Sequence, residues 1–185
     1  MSNFKFLNSK HFTTKNLLAI GLLIIAVALR FLPHVPNFVP ITALALFAGV
    51  YFGGPWAYLL PLLAMISSDI FLGFHSTMYF VYGSLLLTVA IGQVVRRQKN
   101  PLTILGGTLA GSILFFIITN FGVWATTAWY SRDANGLIQC YYMAIPFFRN
   151  SMTGDLFYAI IFFGAYELAS LLIIKPRRLE CQRKI

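Results

Sequence analysis

The sequence predicts an all-α membrane protein, a bundle of six transmembrane helices with both termini in the cytoplasm. The first observation is where the basic residues lie. Eleven of the 14 Lys and Arg residues fall in three clusters: Lys5, Lys10 and Lys15; Arg96, Arg97 and Lys99; and Lys175, Arg177, Arg178, Arg183 and Lys184. Basic residues of short loops stay on the cytoplasmic side, so an even number of crossings separates consecutive clusters. The second observation is hydropathy, which supplies two apolar stretches per interval: roughly 16–33 and 38–53, then 55–73 and 77–95, then 102–129 and 151–174. The third is composition. With 58% hydrophobic and 10% charged residues and a mean hydropathy of +0.76, too little polar surface remains for a soluble globule.

Residues 1–15 form a basic cytoplasmic tail. Helix 1, 16–33, contains an apolar run ending in Ala26-Val27-Ala28, similar to a signal-peptide cleavage site; the long polar lead and the continuation through Leu29 and Phe31 to Pro33 predict that it is retained. Helix 2, 38–53, carries Ala45, Gly49 and Gly53 at every fourth position, a stripe that lets helix backbones approach closely. Gly107 and Gly111 in helix 5, and Ala165 and Ala169 in helix 6, repeat the pattern. Helices 3 and 4, 55–73 and 77–95, are joined by a short outer loop. Helix 5, 102–129, is the longest and can tilt.

The connection from Tyr130 to Asn150 is interrupted by Arg132-Asp133, Asn135-Gly136 and Pro146, and reads as an outer lid or interfacial segment. Helix 6, 151–174, leads to a second basic tail, 175–185, so that residues 1–185 make one integral membrane domain. Continuous apolar runs without alternation argue against a β-barrel. The net charge of +9 sits at helix ends, where topology and anionic headgroups explain it and nucleic acid does not. Cys140 and Cys181 are expected on opposite sides, out of reach of an intramolecular disulfide.

Function is expected where polar groups enter the apolar runs. Arg30, Asp69, Asn120, Trp124 and Asp155 come from four helices yet share the outer third. The outer loops add His34, Asn37, His75 and Tyr79, and the segment before helix 6 adds Tyr141, Tyr142, Arg149 and Asn150. An ionised group at the membrane centre costs at least ~2.5 to 3.5 kcal/mol. Arg30, Asp69, Arg149 and Asp155 sum to zero, so two ion pairs would neutralise them; the plain alternative is that each snorkels to the headgroups. Asn120 and Trp124 share a helical face and suit a planar polar ligand, although an interhelical hydrogen bond and an interfacial aromatic would need no ligand. A metal site is only weakly supported, for no H-x-x-x-H or C-x-x-C spacing occurs, and no cofactor is expected. Glu167, toward the cytoplasmic end, is expected to snorkel or to pair with Arg96 or Arg97; a coupling or proton pathway is the further alternative.

The stretches R-F-L-P-H-V-P-N-F-V-P-I-T-A-L-A-L-F-A-G at 30–49, S-D at 68–69, T-N-F-G-V-W at 119–124, G-L-I-Q-C-Y at 136–141 and I-P-F-F-R-N at 145–150 resemble an uncharacterised family of small six-helix bacterial membrane proteins, over roughly residues 29–167. More distantly, the length, the six helices, the inside termini and the A-L-A-L-F-A-G-V-Y-F-G-G-P run resemble the substrate-binding S-components of energy-coupling-factor transporters. That resemblance implies a multi-pass protein of the bacterial cytoplasmic (inner) membrane, without enzymatic activity, that captures a small-molecule micronutrient from the outer side. It also implies handover to an energising transmembrane coupler with ATPases. Helix 1 departs from the pattern: S-components commonly carry an A-x-x-x-A stripe there, and Ala19, Ala26 and Ala28 lack that spacing. No Walker A motif is present, so the chain is not itself the ATPase. Two other classes remain. A membrane scaffold or assembly factor would need only the small-residue stripes and the basic tail. An intramembrane enzyme would use an Asp69/Asp155 dyad; Gly154-Asp155 resembles part of G-x-G-D, with Met152 at the first glycine's position and no Tyr-Asp partner motif.

Overall fold

The computed structural model describes residues 14–31 and 35–174; His34, Cys181 and most of the two basic tails lie outside the described residues. The described chain is all-helical, with α1 (Thr14–Leu29), α2 (Ile41–Tyr51), α3 (Trp56–Leu72), α4 (Met78–Val95), α5 (Pro101–Thr126) and α6 (Ala134–Ala169). A 3-10 turn, Arg96–Gln98, extends α4, and a π turn, Ser170–Ile174, extends α6. Among the described residues three segments are long and apolar enough to cross a membrane, Met78–Gln98, Pro101–Thr126 and Ala134–Leu172; α1, α2 and α3 are shorter apolar helices.

Local chemistry sets the ends of these helices. Asn100 opens α5 with a capping box: its side chain accepts from the Thr103 N–H at 3.0 Å, the Thr103 hydroxyl accepts from the Asn100 N–H at 3.0 Å, and Pro101 takes the first helical position. Gly73, at φ 97°, closes α3 in a conformation that a side chain would resist.

α2 is the inner element of the bundle. Thr42 through Val50 are all buried, against α4, α6, α3 and α5. Eleven residues rise only about 16 Å, so α2 is shorter than the expected 38–53 span. Pro40 has no N–H to continue a helix backward, and Gly53-Gly54-Pro55 interrupts it forward. Residues 38–40 continue the path as non-helical backbone that is buried or half-buried by protein. At the crossing of α2 and α4 the two backbones touch. A Cβ placed on Gly49 would lie 2.2 Å from the Val89 carbonyl oxygen and 2.9 Å from Gly92 Cα. Gly107 and Gly111 likewise let α5 approach Val95, Thr88 and Thr42. The stripe expected on helix 6 does not pack this way, because Ala165 is exposed. α6 instead buries Phe162, Phe163 and Tyr166 around Phe47, with ring centroids 6.2, 5.4 and 5.7 Å away.

The largest departure from expectation is the segment 130–150. It is no separate lid. After a short turn the chain is helical from Ala134 and continues through Pro146 and past 151, so the expected start of helix 6 is an interior position of a 36-residue helix about 54 Å long. Asp133 caps it, accepting from the Gly136 N–H at 2.7 Å and the Ser131 hydroxyl at 2.8 Å; those two bonds hold its carboxyl below the usual carboxylate value. The added turns zip antiparallel along α5. The Tyr141 hydroxyl donates to the Ile117 carbonyl at 2.6 Å, the Cys140 thiol to the Asn120 carbonyl at 3.4 Å, and Phe148 packs on Phe116 with centroids 4.5 Å apart.

Candidate functional site

Two helix faces and the start of α2 enclose a cavity of about 510 Å3. From α5 it takes Ser112, Phe115, Phe116, Thr119, Asn120 and Val123, and from α6 Ala144, Phe147, Phe148, Ser151 and Asp155. Each set follows i, i+3, i+4, i+7 spacing, so each is one helical face. Ile41 and Thr42 form the floor, while Arg30, Met65, Asn37 and His75 close the remaining side. The cavity begins at the N-terminal end of α2. The basic residues gather at the other end of that helix, where Arg96 Nη1 donates to the Phe52 carbonyl at 3.0 Å.

Arg30, just past the end of α1, reaches across to α3. Its guanidinium donates to Asp69 Oδ1 at 3.0 Å, to the Met65 sulfur at 3.0 Å and to the Ser68 hydroxyl. Asp69 is 2% exposed, and its second oxygen accepts from the Tyr82 hydroxyl of α4 at 2.8 Å. Asp69 itself does not line the cavity. This ion pair therefore ties α1, α3 and α4 together behind one wall.

Asp155 is held differently. Sequence spacing put it at the outer start of a helix, whereas it lies in the interior of α6, level with Ser112, which is about 16 Å along α5 from Pro101. Ser112 Oγ donates to Asp155 Oδ2 at 2.7 Å, and the Thr42 hydroxyl and Ala43 N–H donate to the same carboxyl. α2 begins at Pro40 with no side-chain cap of its own. Asp155 supplies that cap from another helix, offering an acceptor to an otherwise orphaned N–H and a negative charge to the positive end of the helix dipole.

The structure brings together Arg30, Asn37, His75, Asn120 and Asp155 on the cavity wall, with Asp69 just behind it. Several expected members lie elsewhere. Trp124 turns to the connection after α5, where its indole N–H donates to the Ser131 carbonyl at 2.9 Å and the Arg132 guanidinium covers its ring at 5.7 Å. Arg149 is exposed on the opposite side of α6 from Phe148 and Ser151 and makes no ion pair among the described residues. Tyr79 is 74% exposed, and Tyr141 is engaged with α5. Asn150 also misses the wall; its amide donates to the Pro36 carbonyl at 3.2 Å and so braces the loop that carries Asn37. His34 lies outside the described residues. At the basic end Glu167 pairs with Lys99, and not with Arg96 or Arg97, and accepts from Tyr51 at 2.7 Å.

Sequence reasoning missed Ser112, Thr42, Tyr82 and the four phenylalanines. A signal for Ser112 was present, because Ser112, Thr119 and Asn120 fall on one face of a helix that is apolar around them. Among the described residues no three His, Cys, Asp or Glu side chains come together as a metal site requires.

No curated protein and no solved structure matches the chain. A family model matches residues 10–177, a span that takes in every described helix and the whole cavity, and its description is a family of unknown function, DUF6580. By that match, and in keeping with the motifs that resemble an uncharacterised family, the chain belongs to the DUF6580 family.

Proposed function

We propose that this is a multi-pass protein of the bacterial cytoplasmic membrane that binds a small molecule in the cavity between α2, α5 and α6, as the substrate-capturing component of an uptake system. The observation that carries the reading is a cavity of about 510 Å3 with Arg30, Asn37, Asn120 and Asp155 in its wall, inside a bundle whose outer surface is apolar. Polar groups at such depth are costly and mark ligand or ion paths, and the volume falls in the range of small-molecule pockets. Six crossings with both termini inside follow if α1 and α3 cross beside the three long helices and α2 crosses together with the buried segment before it. Basic residues at the far end of α2 favour a cavity mouth that opens outside. Handover to a coupler with ATPases would use that basic end.

Nothing in the geometry favours an Asp69/Asp155 dyad, since the two carboxyls accept from different donors, Arg30 and Tyr82 against Ser112, Thr42 and Ala43. A scaffold would need no polar-walled cavity at all.

Native mass spectrometry of protein extracted gently from its own membranes should reveal a bound small molecule, displaced in Asn120→Phe, which fills the cavity. An empty wild-type protein whose stability no small molecule raises would count against the reading. Orientation is tested with a membrane-impermeant thiol reagent on intact cells in a Cys181→Ser background, because native Cys140 is only 2% exposed. Tyr79→Cys should label and Arg97→Cys should not; the opposite pattern would invert the topology.

A further inference from the structure

We propose that the occupant of the cavity is a small organic cation, a protonated or quaternary amine on an apolar or aromatic body; this rests on the binding-site reading above and names its ligand class. Charge sets the ligand class. The Arg30 charge is taken by Asp69, whose other oxygen is taken by Tyr82, so that group is neutral and closed. Arg149, the other arginine of the outer charge group, is exposed outside the wall. What remains is Asp155, which is 2% exposed, lines the cavity and, among the described residues, accepts only from neutral donors: two hydroxyls and one backbone N–H. The N-terminus of α2 offsets about half a charge, and no Lys, Arg or His among the described residues forms an ion pair with it.

The rest of the wall agrees. Phe115, Phe116, Phe147 and Phe148 line the same space, and the face of an aromatic ring is electron-rich and attracts a cation. A cationic ligand thus gains from Asp155 and from the rings together. An anion would meet both repulsively, and it could recruit Arg30 only by taking it from Asp69, which would then be buried without its counter-charge.

The test uses three probes of one size on the purified full chain: benzylammonium, benzyl alcohol and benzoate, each titrated against thermal unfolding to obtain a Kd. Benzylammonium should bind roughly tenfold more tightly than benzyl alcohol, with benzoate weakest. Asp155→Asn should erase the advantage of the cation over the alcohol. The wild-type comparison stands even where that variant fails to fold. Benzoate binding as tightly as benzylammonium, or all three binding alike, would overturn the cation assignment while leaving the cavity as a binding site. No binding by any probe would also overturn it, and the mass spectrometry above would then decide separately whether the cavity is a binding site.

Discussion

Replacing Gly49 by alanine puts a methyl group where two helix backbones already touch. The added Cβ would stand 2.2 Å from the Val89 carbonyl oxygen, whereas real Cβ contacts essentially never fall below 3.0 Å, so α2 and α4 must move apart by at least about 0.8 Å. The obstructing atoms are backbone, and no rotamer change relieves them. Because α2 is buried against four other helices, moving it disturbs the packing of Phe47 and Leu46 as well. Overpacking of this kind costs about 1 to 3 kcal/mol, and the better helix propensity of alanine returns up to ~1 kcal/mol. A net loss of about 1 to 2 kcal/mol is expected, seen as a fall of roughly 2 to 4 °C in Tm per kcal/mol for a chain of this size. The control is Gly83→Ala in α4, where an added Cβ meets nothing within 4 Å; it should be neutral or slightly stabilising. Both variants are compared in detergent by circular dichroism during heating. Equal melting of Gly49→Ala and Gly83→Ala would refute the close crossing.

Asp155→Ala strands the Ser112, Thr42 and Ala43 donors and should cost about 1 to 3 kcal/mol, with Asp155→Asn milder because it keeps an acceptor; equal losses in chemical denaturation would argue against the capping role. Arg30→Met and Asp69→Leu should each cost about 3 to 5 kcal/mol, and the double variant far less than their sum, because only the single variants leave a buried charge unpaired; strict additivity in the double-mutant cycle would show that the pair does not exist. The Asp133 carboxyl, lowered by the Gly136 N–H and the Ser131 hydroxyl, lends stability that is present above its ordinary value of 3.8 and is lost as pH falls through its lower folded value. Asp133→Asn should therefore flatten the acid limb of the stability profile below pH 3.8, and an unchanged limb would remove Asp133 from the cap.

The helices of the fold were readable because the bilayer criterion is coarse: about 20 apolar residues between polar punctuation. The same coarseness hid α2. Its apolar run was long enough to count as a span, but hydropathy cannot tell a helix that faces lipid from one that faces other helices, and Pro40 and Gly53-Gly54-Pro55 trimmed it to eleven residues. Gly49 was visible as part of a stripe. Its partner Gly92 was not, since a lone glycine carries no spacing and the crossing exists only once α2 and α4 are packed.

The misread segment 130–150 explains why only part of the site could be found. Polar and turn-forming residues between Tyr130 and Pro146 looked like interruptions, yet Asp133 and Asn135-Gly136 start a helix, and Pro146 sits on an exposed face where its missing N–H is tolerated. With that stretch taken as a lid, Ala144, Phe147, Phe148, Ser151 and Asp155 had no common periodicity. As a helix they fall in line, opposite the Ser112–Asn120 face, and the cavity follows from the two faces meeting. The charges show a second limit of one-dimensional reading. Arg30, Asp69, Arg149 and Asp155 sum to zero, but a sum is indifferent to partners: Arg30 with Asp69 leaves Asp155 facing the cavity, whereas Arg30 with Asp155 would have left Asp69. In the proposed function, which carboxylate remains decides the sign of the ligand. That choice is made by the reach of one arginine from the end of α1 to the last turns of α3, a distance no sequence pattern encodes.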